Sequence, residues 1–392
     1  MNNLQSNGWD LSDLKYVQLE PEVENKLLLK KGDILFNRTN SKELVGKCDV
    51  FREDGNWVFA SYLIRVQLDE DKALPLFVSE FLNTSAGRIQ IDRVSRQIIG
   101  MSNVNAEELR DLLIPLPPLA IQRTLISEIE EARAERRGKL ANAGELLQSL
   151  DDWLLAQLGI NLMPVDNRKV FAIRFGDIDG ALNPERYAGL RLEKVITGIQ
   201  VGDVGIILDS KISPSKAVAN ELWDRIRIDD LPNNPLEVER VQTELGSQID
   251  GSFFQVQEND ILLARLGPTI QNAKFVLCPQ TQRQTVASAE FLVLRCHANW
   301  LPEAVLAVLR TKLYRDLMYS KSRGATPSRY RLNAEDFANL PFPVISSELQ
   351  KKIAEEAQRR RNEARHLRHE AETGWQQAKN CFEEHLLMGD AA

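Results

Sequence analysis

Apolar residues follow one succession of patterns twice along this chain. Between Lys31 and Leu68 they come in short runs bounded by Gly, Asp and Asn, the mark of buried strands and turns. Lys31-Gly32-Asp33-Ile34-Leu35-Phe36 reads as a turn into a buried strand, and Tyr16–Leu19 as a short strand before it. Val45–Phe51 and Trp57–Leu68 are further strands, with Asp54-Gly55-Asn56 as a hairpin turn between them. Leu74–Asn83 has helical spacing, Thr84–Asn105 reads as a polar loop, and Asn105-Ala106-Glu107-Glu108 as a cap on one helical turn. Leu112–Leu116 reads as a last strand.

From Leu119 the period becomes three to four. Leu119, Ile126, Ile129, Leu140, Ala143, Leu147, Leu150 and Leu154 form a stripe that Arg133 and Arg136 interrupt. Near the end of the chain Ile353, Ala364, Leu367, Ala371 and Ala378 repeat it, widened by Trp375, Phe382 and Leu386. The stripes are narrow seams of the kind that pair two helices. Pro115-Leu116-Pro117-Pro118 leads into the first helix and Ser347-x-x-Gln350 is a capping box for the second. Gly159 and Gly389 are stops. Gly138, Gly144 and Gly374 permit close backbone approach. About 40 helical residues would span roughly 60 Å.

The succession is an internal repeat. Asp33-Ile34-Leu35 matches Asp260-Ile261-Leu262 at an offset of 227, which Arg38/Arg265, Lys47/Lys274, Ser61/Ser288 and Thr84/Thr311 keep. Asn105/Asn333 and Gln122/Gln350 follow at 228, and Pro115-Leu116-Pro117 meets Pro341-Phe342-Pro343 at 226. The fold expected is α+β: strand-rich modules at residues 1–114 and 161–340, each followed by a long helix at 115–160 and 341–392, the helices pairing antiparallel. Asp260 lies 89 residues after Phe171, whereas Asp33 lies 32 after Met1. The first module is therefore expected to be N-terminally short by roughly 55–60 residues relative to the second.

Charge sharpens this picture. The 392 residues carry a net −7, but Thr311–Arg331 is net +5 and Val201–Asp260 net −7. Local field, not total charge, governs phosphate affinity, so one face can bind DNA while another meets protein. Cys48, Cys278, Cys296 and Cys381 are scattered and form no disulfide or zinc spacing. No apolar run reaches the roughly 18 residues of a membrane span, and the N-terminus has no signal-peptide pattern. A cytoplasmic protein without membrane contact is expected.

Chemistry-bearing motifs are missing from the pattern. There is no Gly-x-Gly-x-x-Gly, Walker loop or Gly-x-Ser-x-Gly. His366 and His369 share a helix face but make too few ligands for a metal. Glu24-Asn25-Lys26 has a nuclease-like spacing without an acidic partner. No catalytic residue, metal site or cofactor is expected of the chain itself.

Polar loops suited to binding remain. Asn37-Arg38-Thr39-Asn40-Ser41 follows the first buried strand. Arg96, Gln97, Ser102 and Asn103 lie before the first Asn-Ala-Glu helix start, and Lys321, Arg323, Thr326, Ser328 and Arg329 before the second. Arg, Asn and Gln read base edges, and Lys, Ser and Thr reach phosphates. With the repeat-matched Lys47, Ser61, Arg265, Lys274 and Ser288, these are the candidate DNA-binding residues.

These features together resemble the DNA-specificity subunits of type I restriction–modification systems. The resemblance rests on Lys31–Arg38, Glu43-Leu44-Val45-Gly46-Lys47, Gln97–Asn105 and Ile114–Leu119 with Gln122. In the second half it rests on Asp260–Arg265, Arg323-Gly324-Ala325-Thr326 and Leu340–Pro343 with Gln350. Asp179–Tyr187 resembles the opening of a recognition domain. The resemblance implies two target-recognition domains, each reading half of an asymmetric bipartite double-stranded DNA site, and two helices that set the spacing. It implies two modification subunits that methylate adenine with S-adenosylmethionine, and restriction subunits that use ATP and Mg. The alternative is a non-catalytic coiled-coil adaptor without DNA readout.

Overall fold

A computed structural model describes residues 3–5, 8–9, 11, 14–98, 101–161 and 192–388. The opening seen at Asp179–Tyr187 lies outside the described residues. In chain order the elements are β1 (Leu4–Gln5), β2 (Gly8–Trp9), α1 (Pro21–Leu27), β3 (Ile34–Asn37), β4 (Thr39–Asn40), β5 (Cys48–Val50) and β6 (Leu63–Val66). Then come α2 (Pro75–Leu82), α3 (Ser85–Val94), β7 (Arg96–Ile98), β8 (Met101–Asn103), α4 (Ala106–Arg110) and the long α5 (Leu119–Gln157). The second half holds β9 (Gly198–Gln200), β10 (Gly205–Ile207), α6 (Pro214–Ala217), β11 (Leu222–Ile226), β12 (Gln242–Leu245) and β13 (Phe253–Val256). It continues with β14 (Ile261–Ala264), α7 (Gly267–Gln271), β15 (Phe275–Leu277), β16 (Thr285–Ser288) and β17 (Phe291–Cys296). It ends with α8 (Pro302–Arg310), α9 (Lys312–Lys321), α10 (Ala334–Ala338), β18 (Pro341–Pro343) and the long α11 (Ser347–Met388). Two compact units result, Met1–Leu140 with Arg368–Ala392, and Ala141–Leu367.

In the first unit Gly32, at φ +93°, makes the turn that a side chain would strain, and β3 follows it, buried along its whole length. β3 is the central strand of the order β5-β3-β6 and pairs antiparallel with both neighbours. The hairpin expected at Asp54–Asn56 therefore does not form, because the two flanking strands take opposite sides of β3. Phe77, Phe81 and Ile91 of α2 and α3 cover Ile34 and Phe36, and Leu125, Ile129 and Phe382 of the long helices close the core. Each such side chain contributes about 2–3 kcal/mol by leaving water.

The second unit has two four-stranded sheets, β10-β17-β14-β15 and β12-β11-β16-β13. α8 and α9 pack on the first, and their core includes Leu150, Leu154, Ile353 and Ala357 of the long helices. The other sheet has its own clusters, around Trp223 and around Phe254.

Equivalent residues do equivalent work in both units, which makes the repeat structural. Asp33 accepts a bond from the Lys30 N–H and Asp260 from the Gln257 N–H, at 2.9 Å each. Thr84 caps α3 and Thr311 caps α9. Asn105 forms a full capping box with Glu108, and Asn333 caps α10 through Asp336. Gln122 accepts from the Leu74 N–H and donates to the Lys72 and Pro117 carbonyls. Gln350 accepts from the Leu301 N–H and donates to the Asn299 and Ile345 carbonyls.

That last pair corrects two expectations. Pro117 matches Ile345, so the offset through the lead-in is 228, and Pro343 corresponds to Pro115, not Pro117. Ser346, not Ser347, caps the last helix, its Oγ accepting from the Leu349 N–H at 3.3 Å. Gln350 leaves the cap because its buried amide ties the helix to its module. Replacing Gln350 by alanine strands the buried Ile345 carbonyl and removes two part-buried bonds, and should lower the stability of the second unit by about 1–3 kcal/mol in denaturant unfolding. A cost under about 0.5 kcal/mol would refute this role.

Other expectations also give way. Tyr16–Leu19 is exposed coil, because no strand lies beside it among the described residues. Thr84–Asn105 is α3 and the β7–β8 hairpin, not a loop: Thr84 caps a helix whose apolar face is mainly Ile91 and Val94. Leu112–Leu116 is extended but unpaired among the described residues.

Within each unit the long helices run antiparallel. In the first, Arg136 meets Glu372 at 2.7 Å and Lys139 meets Glu370 at 3.7 Å. In the second, Ser149 accepts from Arg360 at 2.9 Å and Gln157 from Lys352 at 2.8 Å. Of the stripe, Ile129, Leu150, Leu154, Ile353 and Phe382 are buried, while Leu119, Ile126, Leu140, Leu147, Leu367 and Trp375 are half-buried. Close approach comes from the buried Ala143, Ala364 and Ala371. Gly138, Gly144 and Gly374 face open space, so they do not serve it.

Candidate nucleic-acid interface

In each unit the polar loops are held by one brace. β3 runs into Arg38, whose carbonyl accepts from the Val104 N–H at 2.9 Å; β14 runs into Arg265, whose carbonyl accepts from the Leu332 N–H at 2.9 Å. The chain then pairs with the loop before the short helix. Thr39 and Asn40 lie opposite Asn103 and Ser102, and Leu266 bridges to Arg331. Across each loop, Arg96 faces Asn103 and Arg323 faces Arg331. The first arginine of each pair reaches back to the acid that opens the short helix, Arg96 to Glu108 at 2.7 Å and Arg323 to Asp336 at 3.8 Å.

The predicted residues divide by burial. Asn37 and Ser102 are each about 1% exposed, so their side chains have no surface to offer DNA. Their polarity misled the sequence reading, since Asn37 closes the buried β3 and Ser102 is the inward-facing middle residue of β8. Thr39 accepts from the Asn103 amide at 2.7 Å, and Asn40 accepts from the Ser41 N–H at 2.9 Å, so both shape the turn. Gln97 belongs to β7 with Ser102 opposite it. Lys47 lines a recess of about 200 Å³ with Glu43, Asp49, Glu80 and Arg133, where the charges are mixed. Lys274 donates to the Ile228 carbonyl, and the Ser288 hydroxyl accepts from the Glu290 N–H. Ser61 is exposed on the turn before β6. Arg38 and Arg265 are half-buried, and each has a buried Nε with no hydrogen-bond partner.

The loop between Arg323 and Arg331 carries the most open chemistry. Lys321 below it pairs with Glu193 at 2.9 Å, and Arg331 with Glu290 at 3.0 Å. Arg315 spends its guanidinium on the Arg310 and Gln271 carbonyls, and Lys312 pairs with Asp316. Four of the six cations in the +5 segment are thus engaged inside the protein, and Arg323 leans on Asp336. Arg329, exposed at the end of the 3₁₀ turn Pro327–Arg329, has no ion pair among the described residues. Exposed Thr326 and Ser328 stand beside it with their hydroxyls 3.2 Å apart. Glu108, Asp336, Glu290 and Arg331 complete the braces and were missed. Arg96 to Glu108 and Arg323 to Asp336 keep the repeat offset, which was the available signal.

No protein-family profile matches the chain. It is 24% identical over 160 residues to the Type I restriction enzyme EcoKI specificity subunit of Escherichia coli (strain K12), a match covering 38% of this chain and 34% of that protein. It is 28% identical over 117 residues to the Type I restriction enzyme StySPI specificity subunit of Salmonella potsdam, covering 29% of this chain and 25% of that protein. The chain is similar in sequence to type I restriction specificity subunits. The matches span only a quarter to a third of those relatives' length. A solved chain from a study of complex assembly and conformational transition in the type I R-M system shares the fold, with a TM-score of 0.51 and 15% identity. That likeness covers 93% of this chain and 83% of the other. No described helix is long and apolar enough to cross a membrane.

Proposed function

We propose that this chain is a non-catalytic, sequence-specific DNA-binding subunit that directs adenine-methylating modification subunits and restriction subunits to an asymmetric bipartite duplex site. The observation that supports this most is the duplicated brace. Each unit presents a loop of different sequence on its own copy of the same brace, as reading two different half-sites requires. The antiparallel helix segments in each unit serve as the spacer and the docking surface for the modification subunits. S-adenosylmethionine, ATP and Mg act in the partner subunits, and the chain's own work is positioning.

The open cation gives the test. Arg329→Ala should weaken binding to target duplex about tenfold and reduce the magnitude of the salt slope by about one. Arg323→Ala should cost less, because its guanidinium already leans on Asp336. Fluorescence anisotropy with the modification subunits present, at several salt concentrations, reads both. Unchanged affinity in Arg329→Ala would favour an adaptor without DNA readout.

A further inference from the structure

The repeat matches two arginines that stand at the same turn of the two long helices. In α5, Leu125, Ile129 and Arg133 follow one another at successive turns on the face packed into the first unit. At an offset of 228, Ile353, Ala357 and Arg361 do the same in α11 against the second unit. Arg133 is well partnered. Glu80 and Glu130 pair with it, and the Trp375 ring centre lies 5.4 Å from its guanidinium.

None of those partners has a counterpart at Arg361. Glu80 of α2 corresponds to Ala307 of α8, at the offset of 227 that Thr84 and Thr311 keep. Glu130 corresponds to Gln358, a neutral amide that donates to Asn362 at 2.8 Å. The N–H groups of the equivalent Ser85 and Lys312 donate to Glu383 and Asp151, a match that sets Ala143 in the place of Trp375. Ala307 and Ala143 are both buried. Yet Arg361 is only 6% exposed, and its Nη2 has no hydrogen-bond partner. Burial lowers the guanidinium pKa to about 10 and the Glu303 charge opposes the fall, so the group is charged at neutral pH.

A buried cation without a bonded counter-charge favours any motion that returns it to water. Little resists that motion here. The neighbours of Arg361 on the stripe, Ala357 and Ala364, bury little apolar surface between them. We propose that the turn of α11 around Arg361 is an opening point of the second unit, where the helix parts from α8 and α5 and the guanidinium reaches water while the rest of the unit stays folded. The matched turn around Arg133 is locked by its two carboxylates, so the device belongs to one copy of the repeat.

Amide exchange of the full chain tests this. In the wild type, residues 357–364 should exchange at least tenfold faster, relative to their intrinsic rates, than Ile261–Leu263 of the buried β14. Their exchange should also be nearly indifferent to dilute denaturant, because a local opening exposes little surface. Arg361→Met keeps the length and removes the charge, and should slow exchange at residues 357–364 at least tenfold. Arg133→Met should act with the opposite sign, speeding exchange at residues 129–136 at least tenfold, because Glu80 then lacks its cation. Equal protection of 357–364 and β14, or an equal denaturant dependence, would overturn the proposal. Unchanged or faster exchange in Arg361→Met would do so as well. Exchange at 357–364 that slows in the wild type with chloride but not with gluconate would mean that a bound anion neutralises Arg361, again against the proposal.

Discussion

Replacing Arg133 by alanine is expected to destabilise the first unit by about 3–5 kcal/mol, because it leaves a buried carboxylate without its cation. Arg133 pairs with Glu80, and the two side chains are 15% and 9% exposed. It also holds Glu130 at 2.7 Å, which meets Arg52 at 3.3 Å, and its guanidinium lies 5.4 Å from the Trp375 ring centre. Burial holds the Glu80 carboxyl above its ordinary range, and the Arg133 charge opposes that rise. Removing the charge raises the carboxyl further. A folded-state value above the unfolded one gives stability that is present at low pH and lost as pH rises through the folded value. The deficit of the variant should therefore grow as pH rises above the ordinary carboxylate range, where the wild-type Glu80 ionises and the variant's does not. Denaturant unfolding of the full chain at several pH values, followed by exchange of the Ile34–Phe36 amides, measures it. A deficit that shrinks as pH rises would contradict the account.

That residue also shows what the sequence could convey. Arg133 and Arg136 stand out as breaks in an apolar stripe, and their position was legible. Their partners were not. Arg133 turns to α2, fifty-three positions earlier, and Arg136 to α11, which only the folded chain brings near. The buried strand, the long helices and the repeat were legible because each is a periodic or matched pattern. The β7–β8 hairpin was not, since its strands are short and its residues polar. Among the candidate DNA residues the same limit holds. Asn37 and Arg329 are both polar residues that can reach base edges, yet one closes a buried strand and the other is exposed on its loop. Cation content likewise overstated the field of Thr311–Arg331, since most of its charges are spent on neighbours.

The second large effect separates the two copies of the repeat. Asp260 is 1% exposed and holds Arg295 through two bonds of 2.7 and 2.8 Å. Its equivalent Asp33 accepts instead from the neutral Gln67 amide at 2.8 Å. Asp260→Ala should cost about 1–2 kcal/mol more than Asp33→Ala, since the bonds it loses are to a charged group while Arg295 keeps access to water. Asp33→Ala should cost about 1–3 kcal/mol, the range for losing hydrogen bonds at a buried site. Thermal unfolding of both variants compares them directly. Equal costs would mean that the aspartate matters only as a turn-former in both units, and that the Arg295 pair adds nothing.

The central claim is that this chain chooses the DNA site for a modification activity carried by other subunits. Methylome sequencing tests it most directly, in a host expressing the chain with type I modification and restriction subunits. The account predicts adenine methylation in one asymmetric bipartite motif, absent when the chain is left out and altered at one half-site when the Arg323–Arg331 loop is exchanged. Methylation that is the same with and without the chain, or a motif indifferent to that loop, would contradict it.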